Sequence, residues 1–206
     1  MFFNSAEERI KDFNELWRDF APEESDPLVI KNSKLMDYLI NGGFFTAPAS
    51  TKYHGAYPGG LYDHCRCVFD RLNNLTFENN LQWEREESPF IVGFFHDLCK
   101  CDQYKICSVH GPVHSVDENG DDIIIHPETT RYEYNSDTLL KGHGSKSVML
   151  LSQFFPLTEE EMLCIRYHMG AYETDEWDEY DRAIKKYTNV LWTHHADMLA
   201  SKVDGV

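Results

Sequence analysis

His96 and Asp97 close the run Pro89-Phe-Ile-Val-Gly-Phe-Phe, which carries no polar side chain. A lone carboxylate after so apolar a stretch is costly to desolvate, so Asp97 calls for a metal or a cation as partner. Neighbouring helical residues diverge by about 100°, so one ion reaches both side chains only near a helix end. Four further positions offer similar chemistry. His64 shares a helical face with Leu61 and Val68, a face that points inward. His143, in Lys141-Gly-His-Gly-Ser, stands at a helix entrance where flanking glycines leave room for a ligand or ion near the backbone. His168 follows Cys164 and Ile165 at helical spacing, and Asp197 lies inside Val190-Leu-Trp-Thr-His-His-Ala-Asp-Met-Leu-Ala-Ser. Taken singly, each reads as a structural residue. Taken together, four helices each bring an imidazole or carboxylate and a fifth brings the adjacent pair. Helical bundles build metal sites in this way. Mixed imidazole and carboxylate sets suit borderline divalent ions. Six ligands exceed what one tetrahedral ion needs, so the set suits one or two divalent ions, two of them sharing Asp97 as a bridge.

The cations near these ligands matter in a chain with only 19 basic residues. Lys100 is three residues after Asp97, hence on its face, and Lys146 is three after His143. Both are candidate phosphate clamps. Arg66 and Arg166 stand two residues from a ligand and should point away. His110, His114 and His126 read as solvated. The spacing Cys65-Arg-Cys67 and Cys99-Lys-Cys101 does not fit the usual two-residue zinc knuckle, so these cysteines read as core thiols.

The elements that must position these residues are mainly helical. Ser5 and Glu8 form a capping-box signal for a helix to about Phe20, before Pro22. A short helix around Ser33 to Ile40 stops at Asn41-Gly42-Gly43, and a loop from Phe44 to Gly60 follows. Helices are expected over about Leu61–Leu75, Glu84–Cys99 with Pro89 in the first turns, His143–Phe155, Thr158–Met169 and Arg182–Lys202. Thr158 and Glu161 form a second capping box, and Glu173 to Asp181 is an acidic loop. Between Asp102 and Lys141 the pattern turns extended at Ile123-Ile124-Ile125 and Arg131-Tyr-Glu-Tyr134, with an Asn119-Gly120 turn. That marks an inserted β-arm. The expectation is one mainly α domain: N-terminal helices over 5–41, a core over about 50–202, and a small β-hairpin insertion over about 102–141.

Composition narrows the class further. The 206 residues carry 35 acidic against 19 basic side chains, a net charge of −16. A surface so negative repels long nucleic acid, although a small anion held by local cations is allowed. No apolar run reaches the roughly 18 residues of a membrane span. The N-terminal residues lack the basic stretch and apolar core of a signal peptide. The six cysteines fall in apolar, helix-like segments and read as reduced thiols. These features together give the expectation of a cytoplasmic protein.

The order His64, His96-Asp97, Asp197, with His143 and His168 between the pair and the last aspartate, resembles the H…HD…D signature of the HD-domain phosphohydrolase superfamily in its dinuclear, six-ligand form. The strings Tyr57-Pro-Gly-Gly-Leu-Tyr-Asp-His64, Phe94-Phe-His-Asp-Leu-Cys-Lys100, Gly142-His-Gly-Ser-Lys-Ser147 and Ile165-Arg-Tyr-His-Met-Gly170 look similar as well. The likeness covers roughly residues 50 to 202; the arm is a departure from many members. The resemblance implies an HD helical bundle holding His64, His96, Asp97, His143, His168 and Asp197 around one or two divalent ions. Fe or Mn is favoured over Zn, Co, Ni or Mg. It further implies a metal-dependent hydrolase in which hydroxide on the metal attacks a small phosphoester, with a nucleotide as the favoured substrate. Asp97, Lys100 and Lys146 would be its catalytic residues. Two other classes stay open: a di-iron oxygenase of the same fold, and a nucleotide-binding module without turnover. Long nucleic acid and membranes are not expected partners. A homodimer contact is the competing use of the apolar Ile123-Ile124-Ile125 strand, which otherwise should bury at least one side chain against the metal cleft.

Overall fold

The computed structural model describes residues 3–20, 32–110, 112–118, 120–125, 128–140, 142–170 and 177–206. The stop before Pro22, Asn119 of the arm turn, His126, Lys141 and the first part of the acidic loop lie outside them.

α1 (Ala6–Phe20) starts where Ser5 Oγ accepts from Glu8 N at 3.2 Å. The Glu8 carboxylate reaches Asn4 N at 2.8 Å, not Ser5, so the expected box closes one residue early. α2 (Asn32–Asn41) follows, then the loop to α3 (Gly60–Asn79). α3 runs one turn beyond expectation because Asn80 takes the left-handed conformation (φ 51) and caps it.

α4 (Ser88–Phe95) is apolar all round, so it lies at the centre with every residue buried. It begins later than expected: Glu87 is the N-cap and Pro89 occupies the first turn, where its missing N–H costs nothing. Gly93 lets α4 approach α3 closely, since a Cβ there would stand 2.6 Å from Phe69 Cα. Around this contact Phe13, Phe44, Phe45, Tyr62, Phe69, Phe90, Phe94 and Phe95 form one aromatic core. The expected helix to Cys99 stops at Phe95. His96 caps it, Asp97 leaves helical geometry (φ −105, ψ 18), and a 3₁₀ turn, Leu98–Cys101, follows.

The inserted arm is longer than a simple hairpin. β1 (Tyr104–His110) pairs antiparallel with β4 (Glu128–Tyr134) at the base, and β2 (Val113–Val116) with β3 (Asp122–Ile125) beyond it. Both extended runs seen in the sequence thus find partners that propensity did not mark. Of the three isoleucines expected to bury at least one side chain, Ile123 and Ile124 are 36% and 58% exposed, and the side chain of Ile125 lies outside the described residues.

α5 (His143–Leu151) and α6 (Glu159–Arg166) are each shorter than expected. The Thr158–Glu161 capping box forms as predicted. Glu161 is fully buried and also receives Ser88 Oγ at 2.8 Å and the Arg85 guanidinium, tying α6 to α4. The predicted last helix is two: α7 (Trp177–Lys186) and α8 (Asn189–Leu199), broken at Tyr187-Thr188, with a π turn over Ala200–Asp204. Among the described residues no helix is long and apolar enough to cross a membrane. All six cysteines are free. The protein is mainly helical with a small β arm.

Candidate metal centre

Two of the candidate ligand histidines sit one residue or more past a helix C-terminus, where the backbone has carbonyls to spare. His96 Nδ1 lies 2.9 Å from Gly93 O, and His168 Nδ1 lies 2.7 Å from Ile165 O. His64, within α3, places Nδ1 3.0 Å from Val206 O. A carbonyl only accepts, so each Nδ1 donates and each Nε2 keeps its lone pair. Fixing one nitrogen to aim the other is the usual arrangement of metal-binding imidazoles.

Those lone pairs converge. His64 Nε2 is 3.2 Å from His96 Nε2 and 3.1 Å from Asp197 Oδ1. His64 and His96 are each 3.5 Å from Asp97 Oδ2. On the other carboxylate oxygen, Oδ1, His143 Nε2 approaches to 2.8 Å and His168 Nε2 to 3.4 Å. Asp97 Oδ1, His143 Nε2 and His168 Nε2 are nonetheless buried without an aligned hydrogen bond. Acceptors crowded this closely repel one another unless a cation lies among them. Donor atoms about 2.0–2.1 Å from one ion stand roughly 3.0–3.4 Å apart, close to the separations seen. The buried His and Asp groups can therefore hold a metal ion. The break after Phe95 solves the problem of adjacent ligands: leaving the helix swings Asp97 back toward His96.

The electrostatics fit the same reading. Burial would raise the Asp97 carboxyl, but Lys100 and the imidazoles of His96 and His143 outweigh it and hold it well below the usual range. Burial also opposes the charge on Asp197, yet the hydrogen bond and charge of His64 hold it low. Burial presses His96 below the usual imidazole value despite Asp97. In His168 the contact with Asp97 overcomes burial and raises it.

The cluster opens on a cleft of about 450 Å³ lined by Asp97, His143 and Asp197, with Lys100 beside them. Lys100 is buried and places Nζ 2.6 Å from Asp97 Oδ2. Lys146 is placed differently from the expected clamp. It is buried and paired with Asp102, and it lines an adjoining depression, not this cleft. The acidic residue just after the 3₁₀ turn captures it. Arg66 pairs with Asp12 and Asp70, and Arg166 donates to Ser145 Oγ at 2.7 Å; both point away as expected. The room expected beside His143 is open on the Gly142 side, where both residues line the adjoining depression, and filled on the Gly144 side. A Cβ on Gly144 would stand 2.2 Å from Arg166 O, so that glycine serves helix packing and leaves no space for an ion.

Four contributors were missed by sequence reasoning. Cys99 Sγ lies 3.4 Å from His143 Nδ1, and burial pushes its thiol up to about 12, so it orients that ring as a neutral group. His54 lines the cleft with its ring 5.1 Å from that of His64; burial and the charges of His64 and Lys100 lower it to about 4. Tyr104 and Tyr134 come from the arm. An H-x-y spacing could not have found His54, which is carried by a loop.

No protein-family model, curated protein or solved structure matches the chain.

Proposed function

We propose that this chain is a metal-dependent phosphohydrolase of the HD type, acting on a small phosphoester with a nucleotide as the favoured class. The observation that carries the reading is the crowding of imidazoles around Asp97, with Oδ1, His143 Nε2 and His168 Nε2 buried without a hydrogen bond and Oδ2 facing Lys100, open to a cleft of small-molecule size. His64, His96 and Asp197 would hold one ion and His143 and His168 a second, with Asp97 between them. When bound, such ions supply acidity to a coordinated water and offset charge on phosphoryl oxygens.

The chain's own groups then divide the remaining work. The Nδ1–H bonds to Gly93, Ile165 and Val206 keep three imidazoles in the ligating tautomer. Asp197, held ionised at the cleft, is too weak a base to keep a proton; it accepts a hydrogen bond from water and orients it. Lys100 brings an ammonium to the floor, where charge on a phosphoryl group is largest. The lysine's pKa is raised by Asp97 in spite of burial, so it acts as a fixed charge and does not donate its proton.

Protein purified without chelator should carry close to two ions per chain by elemental analysis. With Mn²⁺ or Fe²⁺ it should release phosphate or nucleoside from members of a nucleotide panel. No turnover of any phosphoester by metal-loaded protein would remove the reading, and oxygen uptake by the Fe²⁺ form would replace it with an oxygenase. Replacing Lys100 by Ala should leave the metal bound and lower turnover about 10–150-fold, the equivalent of about 1.5–3 kcal/mol for a charge-assisted contact. Loss of metal in that variant would show that Lys100 serves only to hold Asp97.

A further inference from the structure

One wall of the cleft has no part in the ligand chemistry. Tyr104 opens β1 and Tyr134 closes β4, and the two are cross-strand partners with ring centroids 5.2 Å apart and planes at 60°. Both line the same cleft as Asp97, Lys100 and Asp197, as do Tyr53, Met169 and Met198. Tyr104 is half-buried, while Tyr134 and Tyr53 are 67% and 73% exposed. A single exposed tyrosine needs no explanation. Three rings and two thioethers share one cleft with the charged groups of Asp97, Lys100 and Asp197.

The arm holds this wall in place. β1 opens just after the 3₁₀ turn that follows Asp97, and β4 ends nine residues before His143. The base is locked where Asn135 N donates to Gln103 O at 2.8 Å and Asn135 Nδ2 to Asp102 O at 3.0 Å. The tyrosine pair therefore stands at a fixed register above Lys100.

We propose that the base of the arm is a stacking wall, and that the site takes phosphate esters whose organic part is a flat ring, a nucleobase or another aryl group. The claim rests on the hydrolase reading for where the phosphoryl end goes. Stacking on tyrosine reads the face of a ring and not its edges, so it tolerates any base. The Gln103 amide donates one hydrogen bond to Tyr104 Oη at 3.2 Å and so braces the ring of the wall. Purines and pyrimidines should accordingly bind with similar strength.

Phosphonates resist phosphoesterases, so their binding can be read without turnover. Calorimetric titration of the Mn²⁺-loaded full chain would compare methylphosphonate, phenylphosphonate and the phosphonate analogues of AMP and UMP. The ring-bearing ligands should bind about 5–150-fold more tightly than methylphosphonate, the range expected for stacking one ring. Tyr134→Ala should erase most of that difference and leave methylphosphonate unchanged, while Tyr134→Phe should keep it. Tightening by the two nucleotide analogues but not by phenylphosphonate would assign the wall to nucleotides; tightening by all three supports a general aryl wall. Equal affinity for methyl and aryl ligands would overturn the wall and leave the phosphohydrolase reading standing. Failure of every phosphonate to bind would overturn both.

Discussion

Replacing Asp97 by Ala should abolish metal binding and activity together. Both carboxylate oxygens are committed, Oδ2 toward Lys100, His64 and His96, and Oδ1 toward His143 and His168. Removing the side chain takes away the group common to both halves of the site, so neither half is left intact. Loss of several kcal/mol of metal-derived stabilisation, at about 1.36 kcal/mol per decade, places the fall in turnover at roughly 10³-fold or more. The metal-free protein should suffer as well. Lys100 is buried and its charge is matched by Asp97, and stranding one partner of a buried pair costs about 3–5 kcal/mol. Elemental analysis, turnover and thermal melting of the chelator-treated protein check the three parts. Retention of two ions by Asp97→Ala would remove Asp97 from the bridging position.

The positions of the ligands were legible in the sequence to the extent that local chemistry constrains them. A charged residue after Pro89-Phe-Ile-Val-Gly-Phe-Phe has few physical options, and His64 and Asp197 were marked by the apolar helices around them. The aiming of the rings was not legible, because it depends on carbonyls freed where α4 and α6 end early. Periodicity runs on through His96 and His168, whereas the backbone does not. Lys146 misled for a related reason: helical spacing placed it near His143, but Asp102, brought close by the turn after Asp97, is the stronger local partner. In the arm, two apolar or alternating runs announced strands, whereas their partners Tyr104–His110 and Val113–Val116 carry Tyr, Ile and Val interleaved with polar residues and no continuous apolar run to mark them. Tyr104 and Tyr134 are thirty residues apart in sequence, and only the ladder register brings them together over the cleft. The order of the six candidate ligands was legible in the sequence, whereas their convergence around Asp97 appears only in the structure.

Replacing Gly144 by Ala should damage one half of the metal centre without touching a ligand. Gly144 follows His143 in the first turn of α5, and its Cα faces the last carbonyls of α6. An added Cβ would stand 2.2 Å from Arg166 O and 2.5 Å from Ile165 O. Both obstacles are backbone, so no side-chain rotation relieves them and the two helices must separate. Ile165 O is also the acceptor that fixes His168 Nδ1 at 2.7 Å. The same displacement therefore moves His143 away and releases the ring of His168, the two imidazoles that share Asp97 Oδ1. His64, His96 and Asp197 are carried by other segments and keep their arrangement. Metal content should fall from about two ions toward one, and overpacking of about 1–3 kcal/mol should lower Tm by roughly 2–12 °C. Gly120→Ala is the control. Unlike Gly144, Gly120 has a positive φ, 90°, and nothing lies within 4 Å of an added Cβ, so the strain of the substitution stays in the arm turn and the metal content should not change. If Gly144→Ala keeps both ions and its Tm, then α5 and α6 slide freely past each other, and the close packing of these helices is not what sets His143 and His168 on one carboxylate oxygen.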